Sequence, residues 1–271
     1  MRQNTDSPRA EHRPRVGLFV TCLVDLFRPN VGFATVKLLE DAGCHVEVPR
    51  LQTCCGQPAY NNGDVGHTEL IAKQVINAFE GYDYVVAPSG SCTGMLKKHY
   101  PDLFRNAPEW RDRAQEFSQH CHELLSFLND IRQIEKIEAY YKGTVTYHDS
   151  CSSLRELGVY PQPRRLLNRV DGLSLVEMTE SNVCCGFGGT FCVKYPEISQ
   201  CMVSDKVKNI HASGAKTILT GDLGCLLNIS GRLTREGHSI KAYHTAEVLA
   251  NMTDLPAIGE GPNPFDGKPK P

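Results

Sequence analysis

CCGFGG, residues 184–189, sets two cysteines side by side in a glycine-rich loop, and CCGQP, residues 54–58, does so again. Neighbouring Cα atoms lie about 3.8 Å apart across a trans peptide, whereas a relaxed disulfide prefers roughly 5.5–6 Å. Neither doublet is therefore well placed to bridge itself. Single cysteines stand at matched distances around each doublet: Cys22 and Cys92 flank Cys54-Cys55, and Cys151 and Cys225 flank Cys184-Cys185. The two sets are offset by 129, 130 and 133 residues at their first, middle and last members. A repeat this long implies two homologous domains, not a stacked solenoid.

Each cysteine group follows a strand-like run. RVGLFVT (15–21) leads to Cys22, HVEVP (45–49) to the first doublet and YDYVVAP (82–88) to Cys92. GTVTYHD (143–149), LSLVEM (173–178) and AKTILTGD (215–222) precede Cys151, the second doublet and Cys225. Between the first runs, NVGFATVKLLEDAG (30–43) and DVGHTELIAKQVINAFEGY (64–82) carry apolar residues three and four apart, the period of an amphipathic helix. Alternating strands and helices predict an α/β fold with two tandem homologous domains, each a small parallel sheet with flanking helices. The loops leaving the carboxyl ends of parallel strands share one edge, where ligands bind. All eight motif cysteines fall on such loops. The expected division is a flexible N-terminus (1–14), a first domain (15–107), a helical connector (108–142), a second domain (143–252) and a disordered Pro/Gly-rich tail (253–271).

The 271 residues are 41% hydrophobic and 22% charged with a formal net charge of −2, a composition with no basic footprint for nucleic acid. MRQNTDSPRAEHRPR has charge but no apolar run behind it, and Val16 to Leu26 is interrupted by Thr21, Cys22 and Asp25. Neither a signal peptide nor a transmembrane segment is expected, and the expected location is cytoplasmic. In a reducing compartment, twelve cysteines point to metal binding or redox chemistry before a disulfide framework. Four soft thiolates per half suit zinc or an iron–sulfur cluster. A vicinal pair, which chelates one ion with poor angles, reaches two irons of a cluster more easily. The bland alternative is that the cysteines are small buried apolar residues.

Other residues have plainer readings. Cys44, Cys121 and Cys201 read as packing or exposed positions, and Cys192 as a neighbour of the second doublet outside its ligand set. His148 and Asp149 precede Cys151, either as a polar strand end or as groups that hydrogen-bond a cluster or relay protons to it. His244 reads as a helix-cap neighbour. GFGGT (186–190) is no dinucleotide fingerprint, because Phe191 stands where the last glycine is required.

The doubled arrangement, with GLFVTCLVD, CCGQPAYNNGD, PSGSCTGML, YHDSCSSLRELG, CCGFGGTF and TGDLGCLLNISG, resembles the CCG cysteine-rich domain pair. That pair occurs in a cluster-bearing subunit of heterodisulfide reductase, the glycolate oxidase iron–sulfur subunit and the lactate-utilisation protein A family. The last is the nearest match in motif detail. The resemblance implies Cys22, Cys54, Cys55, Cys92, Cys151, Cys184, Cys185 and Cys225 as ligands of one or two iron–sulfur clusters of open type, with zinc in one half as the alternative. It also implies an electron-transfer role in a complex that oxidises L-lactate, a small 2-hydroxy acid, to pyruvate. Partners would be a ferredoxin-type iron–sulfur sister subunit and a third lactate-utilisation protein, which would bring any peripheral contact with the inner membrane. A glycolate oxidase-type or heterodisulfide reductase-type redox subunit, or a zinc-stabilised assembly scaffold, is the alternative function. In the heterodisulfide reductase pattern each motif ends in Cys-x-x-Cys, and here Ser89 and Asp222 replace the first of those two cysteines. Four cysteines per half remain, with Asp222 as an oxygen donor in reserve.

Overall fold

The computed structural model describes residues 13–260. Most of the expected flexible N-terminus, residues 1–12, and the distal tail, residues 261–271, lie outside the described residues. Strands β1 (Arg15–Leu18), β2 (His45–Glu47), β3 (Tyr84–Ala87) and β4 (Cys121–Glu123) form one sheet in the order β2-β1-β3-β4. Strands β5 (Tyr140–Tyr147), β6 (Asp171–Leu175), β7 (Thr217–Thr220) and β8 (Lys241–His244) repeat that order as β6-β5-β7-β8. Every pairing is parallel. The fold is thus α/β, and the duplication seen in the cysteine spacing is a duplication of sheets.

Parallel neighbours require a crossover, and helices supply it. Pro29–Asp41 joins β1 to β2, with Pro29 in its first turn, where the missing N–H costs nothing, and Val31, Ala34, Leu38 and Leu39 on its buried face. Val65–Ala78 joins β2 to β3; Asp64 caps it by accepting from the His67 N–H, and Ala72, Val75 and Ile76 face the sheet. One apolar core runs through both halves, placing Val31, Leu38 and Leu39 with Val145, Leu219 and Leu249. A second core lies on the other face of the first sheet around Phe19, Phe79, Tyr100 and Phe104. Across the junction the Arg28 guanidinium meets the fully buried Glu247 carboxylate at 2.8 Å. Glu247 also accepts from Asn30 at 2.7 Å and from the His244 N–H at 3.1 Å.

Two expectations need correction. The stretch 108–142 is not helical throughout: after the helix Pro108–His120, residues 121–123 form β4, paired with β3 through Val85↔Cys121 and Ala87↔Glu123, and β5 begins at Tyr140. A three-residue strand is too short to show a period of two, so its pairing with β3 decides it. Residues 253–260 are not a disordered start to the tail either. Ala257 and Ile258 are buried, and the Ile258 N–H donates to the Ala242 carbonyl at 2.9 Å. Among the described residues no helix is long and apolar enough to cross a membrane.

The helix Gly90–Gly94 crosses the helix Cys151–Arg155 so closely that a Cβ on Gly90 would lie 1.8 Å from Ser153 Oγ and 2.9 Å from the Ser153 backbone nitrogen. At Gly94 the obstacle is Glu156 Oε2, the far end of a flexible side chain, at 2.2 Å. Gly90→Ala is therefore expected to destabilise by about 1–3 kcal/mol; Gly94→Ala should cost clearly less, as denaturant midpoints of the two variants will show. Burial pushes the Glu123 carboxyl up to about 7, above its ordinary 4.5. The folded chain holds a proton that the unfolded chain releases, so this contribution to stability is complete below the ordinary value and lost as pH rises through about 7. Glu123→Gln should remove a fall on the order of 2–3 kcal/mol between acid and neutral pH, measured by urea unfolding on either side of that window.

Candidate functional site

In the first half the strand ends deliver four thiols to one place. Thr21, with the left-handed φ of 69°, turns the chain after β1 so that Cys22 opens the helix Cys22–Phe27. A β-branched residue in that region is strained, at a cost of about 1–3 kcal/mol, and such strain collects at functional positions. Cys54 and Cys55 follow β2. Cys92 sits in the first turn of Gly90–Gly94, where its N–H is capped by Ser89 Oγ at 3.3 Å. The Sγ atoms of Cys22 and Cys54 are 3.8 Å apart, and those of Cys55 and Cys92 3.4 Å. Adjacent cysteines thus aim at different partners.

The second half repeats this. Cys151 opens the helix Cys151–Arg155, and Cys225 lies in the first turn of Leu223–Arg235, capped by Asp222. Cys151 and Cys184 lie close enough for each thiol to shift the other's protonation, as do Cys185 and its neighbours Cys184 and Cys225, and the sulfurs of Cys185 and Cys225 are within 4.8 Å. The glycine after the doublet has a physical reason: Gly186 adopts φ 81°, and a Cβ there would lie 2.8 Å from the Ser199 carbonyl oxygen. Only glycine combines that left-handed turn with that approach.

The thiols of each half shift one another's protonation, one downward and its neighbours upward. Hydrogen bonds from Cys22 and Cys55 bring Cys54 down to about 3, and those from Cys151 and Cys185 bring Cys184 down to about 2. The N–H groups of Gly56 and Gly186 face these two sulfurs at 3.5 and 3.4 Å. Their neighbours are held up as thiols: Cys22 and Cys151 by donating to these thiolates and by burial, Cys55 and Cys185 in the same way. A soft metal would displace those protons, so the donor chemistry fits zinc or an iron–sulfur centre in each half.

The accompanying polar groups differ in role. Asp149 is occupied by Arg164, Nη1 to Oδ1 at 2.7 Å and Nη2 to Oδ2 at 2.8 Å, and by Ser181 Oγ at 2.9 Å. His244 bridges the Pro88 carbonyl and the Ala246 N–H, both at 3.2 Å, and caps the helix Thr245–Leu249. His148 is wholly buried, and its neutral form is favoured: burial, then the nearby Lys206, push its pKa down to about 4. Lys206, itself buried, donates to the Glu180 carbonyl beside the second doublet. Ser89 and Asp222 meet each other across the halves, Ser89 Oγ to Asp222 Oδ2 at 3.3 Å, and the Ser91 N–H donates to the same oxygen at 3.0 Å. Asp222 Oδ1 accepts from the Gly224 N–H at 3.2 Å, so both carboxylate oxygens are engaged in joining and capping. Cys44 and Cys121 are core residues, Cys201 is exposed, and the Cys192 thiol points at the Gly189 carbonyl at 3.5 Å.

A cavity of about 200 Å³ opens over the first set, lined by Cys22, Cys54, Cys55 and Cys92 on one side and by Phe187, Gly189, Thr190 and Asp222 from the second half on the other. The part played by the 187–190 loop in the first half's cavity is invisible in the sequence, because it brings together residues far apart in the chain, Cys54 and Phe187 among them. Replacing Cys54 or Cys185 by serine should abolish metal retention in the affected half and lower the melting temperature, whereas Cys44→Ala and Cys201→Ser should keep full metal content. Metal analysis of anaerobically prepared variants checks both sets.

A family model for the CCG cysteine-rich domain matches residues 16–97 and 145–230. Lactate utilization protein A of Macrococcus caseolyticus is 49% identical over 89% of this chain and 98% of that protein. The Geobacillus kaustophilus protein of the same name is 50% identical over 87% and 98%, and that of Bacillus subtilis 46% over 87% and 98%. Among solved structures, a hypothetical protein from Helicobacter pylori shares the fold, with a TM-score of 0.60 at 11% identity over 89% of this chain; the chain spans about half of that protein's length, 49%. With two matched domains and near-complete alignment to these relatives, the chain belongs to the lactate utilization protein A family of paired CCG cysteine-rich domain proteins.

Proposed function

We propose that this chain is the iron–sulfur electron-transfer subunit of a cytoplasmic multi-protein complex that oxidises L-lactate to pyruvate. The observation that carries the reading is the paired thiol set: two groups of four cysteines, each gathered at the carboxyl edge of its own parallel sheet. The relatives' names supply the pathway. Cys22, Cys54, Cys55 and Cys92 would hold one centre, and Cys151, Cys184, Cys185 and Cys225 the other. A bound iron–sulfur centre supplies reversible one-electron storage, which a side chain of ordinary type does not.

The chain's own residues do the rest. Thr21, Ser89, Ser150 and Asp222 cap the helices that carry Cys22, Cys92, Cys151 and Cys225, fixing each sulfur against its strand end. Gly56 and Gly186 turn their N–H groups onto Cys54 and Cys184, a placement that favours anionic sulfur. Oxidation of a 2-hydroxy acid to a 2-oxo acid releases two electrons and two protons, and two one-electron centres match that number. Substrate chemistry and onward transfer fall to the sister subunits, one of them of ferredoxin type.

Deletion of the gene in a strain with no other L-lactate dehydrogenase should abolish growth on L-lactate. Wild-type and Cys201→Ser chains should restore it; Cys54→Ser and Cys185→Ser should not. Anaerobic protein should be brown, with iron and labile sulfide in near-equal amounts. Normal growth of the deletion strain would remove the pathway assignment, and colourless, iron-free protein that still supports turnover would remove the electron-transfer role.

A further inference from the structure

Among the buried side chains that differ between the two candidate centres, one is a potential metal donor beside the thiols of the second half. The Phe19 N–H donates to the Val86 carbonyl at 2.9 Å, and the His148 N–H donates to the Leu219 carbonyl at 2.9 Å, so the two residues occupy the same place in the two sheets, three positions before Cys22 and Cys151. In the first half the side chain is hydrocarbon, fully buried and packed on Phe79 with ring centroids 5.7 Å apart. In the second half it is an imidazole, equally buried, whose Nε2 has no hydrogen-bond partner. A buried unpaired ring nitrogen costs about 1–3 kcal/mol and calls for an explanation.

Its surroundings supply one. His148 Nδ1 lies 3.1 Å from the Ser181 carbonyl oxygen, an acceptor only, so Nδ1 carries the proton and Nε2 presents a lone pair. The ligating atoms of His148, Cys185 and Cys225 all lie within 4.8 Å of one another. Donors bound to a single tetrahedral ion at about 2.0–2.3 Å sit roughly 3.3–3.8 Å apart, so side-chain movement of about 1 Å closes this trio on a metal. A ring held through Nδ1–H by a backbone carbonyl, with Nε2 free, is the usual arrangement of a metal-bound histidine.

We propose that His148 Nε2 is a ligand of the second half's metal centre, together with thiolates from the Cys151, Cys184, Cys185 and Cys225 set, so that the chain carries two unlike centres: all-sulfur in the first half and mixed nitrogen–sulfur in the second. The proposal rests on the metal-centre reading given above and adds the donor that distinguishes the halves. Binding releases protons from the thiols and none from His148. Substitution of imidazole for thiolate raises the potential of an iron–sulfur centre, so the second half would be the better electron acceptor and would set the direction of transfer within the chain.

The test uses full-length protein labelled with ¹⁵N-histidine, purified without oxygen and reconstituted with ferrous iron and sulfide. Pulsed EPR of the reduced protein should show a strongly coupled histidine nitrogen, and X-ray absorption at the edge of the bound metal should show an imidazole shell. Both should vanish in His148→Phe, which installs the first half's own residue, and that variant should lose its second-half metal to a chelator on the order of tenfold faster. His148→Cys, which keeps a donor, should retain the metal and shift the second centre to lower potential. A loaded centre with no histidine nitrogen, or a nitrogen signal that survives in either variant, would overturn the proposal while leaving the electron-transfer role intact. Zinc with an imidazole shell would do the reverse, and protein that takes up no metal in its second half would overturn both.

Discussion

Parallel pairing is the constraint on which the rest of this molecule depends. Because β1, β2 and β3 run in one direction, their carboxyl ends meet at one edge, and the residues that follow them are neighbours although 30 to 70 positions separate them in the chain. The same holds for β5, β6 and β7. A chain whose strands alternated in direction would scatter these cysteines to opposite edges. The helices Pro29–Asp41 and Val65–Ala78 enforce the direction, since a parallel neighbour is reached only by crossing back over the sheet.

The halves are joined through the same edge that carries the thiols. Ser89 and Asp222 each cap the helix bearing the last cysteine of their own half and hydrogen-bond to each other. These are the positions at which the heterodisulfide reductase pattern has further cysteines, so in this chain they serve the junction. Arg28 and Glu247 reinforce it with a charge pair that is almost completely out of water. Removing one partner of such a pair leaves an uncompensated buried charge, at a typical cost of about 3–5 kcal/mol. Relative motion of the halves is correspondingly restrained, and the cavity over the first thiol set keeps its second-half wall.

Duplication has not left two identical sites. The backbone path, the helix caps and the division of each doublet between two partners are shared. The residue three before the first cysteine is not: Phe19 completes an aromatic core, while His148 brings an imidazole close to Cys185 and Cys225. Under the proposal of metal centres in both halves, such unlike donors would give them different electron affinities, which two copies of one site would lack.

Much of this was legible in the sequence, because the signals are local. Strand-like runs end where cysteines begin, glycine follows each doublet, and the offset of 129 to 133 residues reveals the repeat; these determine the fold class, the duplication and the eight thiols. Only the tertiary structure decided that residues 121–123 close the first sheet, that 253–260 pack against the second, that Asp222 caps and bridges with both its oxygens occupied, and that His148, whose Nε2 has no hydrogen-bond partner, lies close to Cys185 and Cys225. Each of these is fixed by contacts between residues far apart in the chain. A three-residue strand has no period to read, and a histidine's hydrogen-bond partners, or lack of them, exist only once the surrounding strands have brought carbonyls and sulfurs to the same place.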